Sequence, residues 1–282
     1  MPLALIISSF VAASRIGGVA QQYVLAAHKI DPVLAPTVMF GRSPARGAKG
    51  EVTTPEVLAR MLGDIEADAL FGLVDLFLTG HFSLPEQVEI AAGVMERVRT
   101  ANRTGAFAAK PIMLVDPIMG DEPKGLYVKP EVAQAIAEQL VPLADYITPN
   151  LWELGRLTGR EIHTAVEACA AARSLGVPAL ITSAPARPGE IGLIYVDADQ
   201  AMLYAHPKVP GIPNGTGDLV AAGFGSALVE GLAPLAAAER AARAAAEITK
   251  AAEQWRSAEL PIVALATQVA HPTALVRSER LC

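Results

Sequence analysis

The sequence predicts an α/β protein, a doubly wound layer in which helices cover both faces of a mostly parallel sheet. Three observations predict it. Short runs rich in Ile, Val and Leu recur along the chain, and their hydrophobicity is continuous rather than alternating, the pattern of strands buried on both faces. Between the runs lie longer stretches with helical spacing of apolar residues, an order βαβαβα that implies right-handed crossovers. With 282 residues, 52% of them hydrophobic and 18% charged, the chain can bury the core of one large domain over 1–282.

The strand runs are LALIIS (3–8), PVLAPTV (32–38), LVDLFLTG (73–80), IMLVDP (112–117), ADYITPN (144–150) and ALITS (179–183). Helices are expected over 17–28, 54–68, 85–102, 130–141 and 164–175. Several of these open with the Thr or Pro that suits a helix start, as in TTPEVLARML and LPEQVEIAAGV. The pattern then changes to an antiparallel hairpin, EIGLIYVD (190–197) and AMLYAHPKV (201–209), turned by ADQ. An Ala-rich stretch at 235–255 suits a packed helix, and GRSPARGAKGE (41–51) is the strongest loop, mobile and solvent-exposed by composition.

Composition narrows the function. The net charge is −6 and no run of Lys or Arg occurs, which excludes a polyanionic nucleic acid or an acidic membrane surface as partner and favours a small metabolite. Cys169 and Cys282 are far apart and lack metal spacing, which suits a reducing cytoplasm. MPLALIISSFVAASR has the apolar stretch of a secretory signal but no positive n-region, since its first cation is Arg15, so a buried first strand is expected there. The longest strongly apolar stretch, 219–229, is far short of the roughly 20 residues a membrane span requires.

In open α/β sheets, ligands bind beyond the carboxyl ends of the strands. Those ends hold a polar set: Ser8 and Ser9, Gly80 and His81, Asp116 to Asp121, Thr148 to Glu153, and Thr182 with Ser183. Taken singly, such residues also end strands and cap helices routinely. The stretch PNGTGDLVAAGF (213–224) adds a glycine turn ahead of a helix, whose free N–H groups bind anions, yet Asp218 stands among them. It is neither a dinucleotide fingerprint, because Val220 replaces the third glycine, nor a P-loop, because the sequence has no Gly-Lys pair. Histidines 28, 163, 206 and 271 show no metal spacing, and Met39, Met113 and Met119 read as core filler.

GTGD opening a helix, VDPIMGD (115–121) and ADYITPNLWELGRLTG (144–159) together resemble the ribokinase superfamily and its pyridoxal kinase branch. The opening IISSFVAASRIGG and the tail VAHPTALVRSERL resemble the same branch, so the likeness runs nearly the whole chain. The resemblance implies a three-layer α/β/α sandwich, ATP-dependent phosphorylation of the 5′-hydroxymethyl group of a B6 vitamer, Mg²⁺ and a monovalent cation, and a homodimer. It assigns Asp218 as the base for the alcohol and the amides of Gly215, Thr216 and Gly217 as phosphate ligands, in keeping with the needs of phosphoryl transfer. Asp116, Asn150, Thr182, Ser183, Val209, Pro210 and Gly211 match the nucleotide side, and Asp121, Thr148 and Glu153 the cation. Ser9, Ile212, Pro213 and Asn214 match the acceptor pocket.

Three positions depart from that branch. Phe10 stands where a His follows the substrate serine, His81 where an aromatic follows the strand-end glycine, and Pro44 where a Thr contacts pyridoxal. Either the ring substrate differs, or Arg42, Arg46 or His81 holds the same one. A hydroxymethylpyrimidine kinase shares the fold but typically carries Cys at the position of Asp218. A binding protein without turnover would not need a base there.

Overall fold

The computed structural model describes residues 1–281; Cys282 lies outside the described residues. The chain runs β1 (Leu3–Val11), α1 (Gly17–Ala27), β2 (Asp31–Phe40), a two-residue β3 (Glu51–Val52), α2 (Pro55–Ala67), β4 (Val74–Thr79), α3 (Pro85–Thr100) and β5 (Ile112–Val115). A small ribbon, β6 (Gly120–Asp121) and β7 (Gly125–Leu126), precedes α4 (Pro130–Ala135), β8 (Tyr146–Ile147), α5 (Leu151–Thr158) and α6 (Ala165–Ser174). There follow β9 (Ala179–Ala184), β10 (Glu190–Val196), β11 (Ala201–Pro207), α7 (Thr216–Val229), α8 (Pro234–Gln254), α9 (Ala266–Ala270) and β12 (Arg277–Arg280).

One ten-stranded sheet takes the order β12-β11-β10-β9-β8-β5-β4-β1-β2-β3. Its middle, from β2 to β9, is parallel, while β10, β11 and β12 extend one edge antiparallel and β3 caps the other. The order reverses beside β1, which pairs with β2 on one side and β4 on the other, and its carboxyl end is where an open sheet presents a ligand crevice. Side chains face two cores: in β4, Val74 and Phe77 join α2 and α3 on one face and Leu76 and Leu78 join α1, α7 and α8 on the other, the alternation interrupted at Asp75 by a register shift against β1. Continuous apolar runs are thus explained by helices on both sides.

Helix starts follow local chemistry. Thr54 accepts the Val57 N–H ahead of Pro55, and Thr164 with Glu167 forms a capping box. Helix α7 is buried over almost its whole length, with Phe224 edge-on to Tyr146 at 5.5 Å, because α8 covers it with a stripe of alanines. Among the described residues no helix is long and apolar enough to cross a membrane.

Several expected boundaries move. The strand expected over 73–80 starts at Val74, since Leu70–Leu73 forms a tight 3₁₀ turn. The run at 144–150 supplies only a two-residue strand, because Asn150 turns the chain into α5, a helix the apolar periodicity did not single out. The helix expected over 130–141 is α-helical for six residues and then widens and tightens toward Pro142, which lacks an N–H. The hairpin's second strand ends at Pro207, and β12 in the tail adds a strand to its edge. Residues 41–51 are largely exposed, as expected, but Arg46 is fastened at 3.1 Å to both Glu259 and the Ala258 carbonyl.

Asp75 is the one deep charge in the strands described above. It accepts the Leu3 and Ala108 N–H groups and pairs with Arg103 at 2.7 Å, with the carboxylate side chain fully buried. Removing the cation leaves that carboxylate uncompensated, so Arg103→Leu is expected to cost about 3–5 kcal/mol in urea unfolding.

Candidate active site

Asp218 is the third residue of α7 and is buried. It reaches the site because Gly215 ends the preceding loop at a φ of 110°, open only to glycine at low cost, and because a Cβ there would overlap the Arg15 carbonyl oxygen. No side chain caps α7, so the first-turn amides of Thr216 and Gly217 face outward without an intrahelical partner. Gly217 is exposed, with open space where a Cβ would stand. The Asp218 Oδ2 atom accepts the N–H of Gly17 at 2.8 Å, so the carboxylate sits where the N-termini of α1 and α7 meet.

Two effects on this carboxyl oppose each other. Burial disfavours its charge, while the Gly17 amide and its own backbone N–H favour it. Burial is the larger effect, and the group is pushed up to about 6. An acid at a helix start that ought to be strongly ionised is thereby poised near neutrality.

Ser9 lies beside it. A bulge between Ser8 and Phe10 shifts the β1–β2 register, and the Ser9 hydroxyl packs so closely on Gly17 that a Cβ there would overlap it. Ser9 is buried, while Phe10 is exposed and lies in register with Met39. His81, one residue past the strand-end Gly80, has its Nε2 3.4 Å from the Ser83 hydroxyl, and its carbonyl accepts the Thr37 hydroxyl. Burial drives its imidazole down to about 4, so it is neutral at physiological pH.

A second acidic group closes the other side. Asp116 leaves β5 with one oxygen accepting the Thr148 hydroxyl at 3.0 Å and the other, Oδ2, buried without a partner. Burial, then the neighbouring Glu153 and Asp218, raise it well above the usual carboxylate range. Asp121, on β6, has Oδ1 unpartnered as well, and its Oδ2 stands 3.6 Å from Lys124. Glu153 is engaged by the backbone: it accepts the N–H groups of Met119 and Gly120 and, at 2.8 Å, that of Asn150. Burial raises it to about 7 against those bonds. Asn150 returns the cap by accepting the Glu153 N–H and donates to the Gly120 carbonyl, so the pair clamps the 116–121 turn onto α5.

The structure brings Ser9, Asp218, Asp116, Thr148, Asn150 and Glu153 to neighbouring strand ends through these contacts. Thr182 joins them by a bridge to Asn150, and Ser183 beside it holds a φ of 53°, a sparsely populated conformation for a side-chain-bearing residue. Val209, Pro210 and Gly211 lie in the loop after β11, and Ile212, Pro213 and Asn214 lead from it into the glycine turn. Pro44 is exposed on the 41–51 loop, at the start of a short 3₁₀ turn. Sequence reasoning missed Gly17 as a donor to the carboxylate and Gln21 as its neighbour; the Gly-Gly pair opening α1, with five residues between it and β1, was the available signal. It also missed Glu259, which accepts from Ser14 and Arg15 as well as Arg46 and so ties the loop after β1 to the 41–51 loop.

The model of the phosphomethylpyrimidine kinase family matches residues 90–262. The chain is 32% identical over 262 residues to a pyridoxine/pyridoxal/pyridoxamine kinase of Bordetella avium, covering 90% of this chain and 86% of that one. It is 34% identical over 232 residues to the pyridoxal kinase PdxY of Deinococcus radiodurans, covering 77% and 76%. Its fold is that of the pyridoxal kinase of Leishmania donovani solved with ADP and pyridoxamine, with a TM-score of 0.92 at 23% identity and both chains fully covered.

The raised Asp218 also has a stability consequence. Its folded value lies above that of a free Asp, so its penalty is absent below about pH 4, grows as pH rises toward 6 and is complete above it. Asp218→Asn is therefore expected to be more stable than the parent by roughly 3 kcal/mol at pH 8, at about 1.4 kcal/mol per pK unit. Urea unfolding should show that gain shrinking to about half at pH 5.

Proposed function

Because this chain belongs to the phosphomethylpyrimidine kinase family and to its pyridoxal kinase members, we propose that it transfers the γ-phosphoryl group of ATP to the 5′-hydroxymethyl group of pyridoxal or a related B6 vitamer. The observation that carries the residue assignment is the buried Asp218 carboxylate, held by the Gly17 amide at the mouth of an uncapped helix. The acceptor hydroxyl gives its proton to Asp218 as its oxygen bonds to the γ-phosphorus, and ADP leaves with the electrons of the broken P–O bond. The amides of Thr216 and Gly217, with Gly215 shaping the turn, hold the phosphate oxygens at the positive end of α7. Base and anion site thus serve different substrates, the carboxylate facing the alcohol and the amides facing ATP.

Asp116 and Asp121 each keep a buried oxygen without a partner, hard donors that suit Mg²⁺. Mg²⁺ held there would supply charge neutralisation at the phosphate oxygens. Thr148 orients Asp116 toward it, and the Asn150–Glu153 clamp holds the 116–121 turn that carries both acids. On the acceptor side Ser9, matching the branch's serine, and the neutral His81, standing where the branch has an aromatic, offer hydrogen bonds to the ring.

With ATP and Mg²⁺, the protein should convert pyridoxal to its phosphate faster than it phosphorylates hydroxymethylpyrimidine. Asp218→Asn should lower kcat by about 10²–10⁴ with the ATP Kd nearly unchanged. The kcat/KM of the parent should rise with pH through about 6 and level off above it, because the base acts only when ionised. Retention of parental turnover by the variant would remove the base assignment, and the absence of any vitamer-dependent ATP consumption would favour a binding protein.

The loop at 41–51 closes over bound substrate and excludes water in this reading, with Arg46 on Glu259 as its fastening. Trypsin should then cut at Arg42, Arg46 and Lys49 more slowly when pyridoxal and an ATP analogue are bound. Equal cleavage with and without ligands counts against closure.

A further inference from the structure

A carboxylate that accepts a proton must turn one oxygen to the substrate while other contacts hold it still. At Asp218 those tasks fall on different atoms. Oδ2 accepts the Gly17 N–H at 2.8 Å. Oδ1 faces the Nε2 of Gln21 at 3.5 Å, the long limit for a hydrogen bond. Gln21 lies four residues beyond Gly17, so the same face of α1 touches both oxygens.

Packing does not explain an amide at this position. Gln21 is fully buried, and its Oε1 has no partner. The hydroxyl of Ser8, toward the end of β1, is buried and unpartnered too. A Cβ built on Gly80 would overlap the Ser8 hydroxyl and stand 3.3 Å from Gln21 Nε2, which places Ser8 and Gln21 together against that glycine. A buried acceptor without a donor lowers stability, and a methionine would fill a similar volume without one. What the amide offers over methionine is its N–H, and the charged group it faces is Asp218.

We propose that Gln21 is a positioning residue that keeps Oδ1 of Asp218 turned toward the acceptor alcohol, through a contact long enough to leave that oxygen free for the proton. The inference rests on the reading of Asp218 as the base. Gln21 touches neither substrate nor nucleotide in this role, so its loss acts on kcat and not on binding.

The test is a double-mutant cycle with pyridoxal and ATP, using Gln21→Met, which keeps volume, and Gln21→Asn, which keeps the amide on a side chain one methylene shorter. Each single variant should lose about tenfold or more in kcat. KM for pyridoxal and the ATP Kd should stay within about twofold. The thermal midpoint of Gln21→Met should be kept or raised. In the Asp218→Asn background neither substitution should lower kcat further. Undiminished kcat in the folded single variants, an equal loss in both backgrounds, or a joint fall in ATP affinity and thermal midpoint in both variants overturns the inference. Parental turnover in Asp218→Asn alone would instead remove the base assignment, so the two failures are told apart.

Discussion

The 2.8 Å hydrogen bond from the Gly17 amide to Asp218 joins the start of α1 to the start of α7, and the geometry around it constrains both helices. Gly17 has a φ of 60° and sits under the Ser9 hydroxyl, while Gly215 has a φ of 110° and sits under the Arg15 carbonyl. Neither position has room for a Cβ. Two glycines thus let the loop after β1 and the loop before α7 approach closely enough to shut one carboxylate away from solvent. The sheet's parallel middle then supplies the remaining groups, since β1, β4, β5 and β8 all end on the same side.

Charge in this site is balanced against burial throughout. Asp116, Glu153 and Asp218 are all buried and all raised, with burial the largest cause in each. The protein answers differently at each one. Glu153 is held by three backbone amides and serves the architecture, whereas Asp116 retains a bare oxygen and Asp218 only partly occupied ones. Carboxylates left short of donors make the folded state less stable than an apolar site would. The strand ends of β1 and β4 and the N-terminal halves of α1 and α7 share that shortfall, where Ser8, Thr79, Gln21 and Thr216 also keep polar atoms without partners. By contrast Asp75, at the opposite end of β4, is saturated by Arg103 and two amides.

The groups around Asp218 differ in how firmly the scaffold holds them. The glycine turn, Asp218, Asp116 and the Asn150–Glu153 clamp sit in rigid strand ends and helix starts. Phe10 and Pro44, by contrast, lie at exposed positions, where a change of side chain leaves the scaffold intact. His81 differs from both, being shielded and neutral, with a carbonyl anchored by Thr37.

Much of the fold was legible in the sequence because burial on both faces leaves continuous apolar runs, and Thr or Pro helix starts follow local rules. The positions of β1, β2, β4, β5, β9 and the hairpin were determined at that level. Short elements were not: β3, β6, β7, β12 and α5 owe their existence to neighbours, since two to eight residues hold no period to read. Tertiary structure alone decided which groups face one another. Gly17 and Gln21 lie 201 and 197 residues before Asp218 in sequence, and nothing local to either segment states that an amide of α1 will meet a carboxylate of α7. Nor could residue type foretell that Asp218 would be raised and poised, because a helix start lowers a carboxyl's pKa and only the depth of burial, a property of the packed whole, reverses the sign.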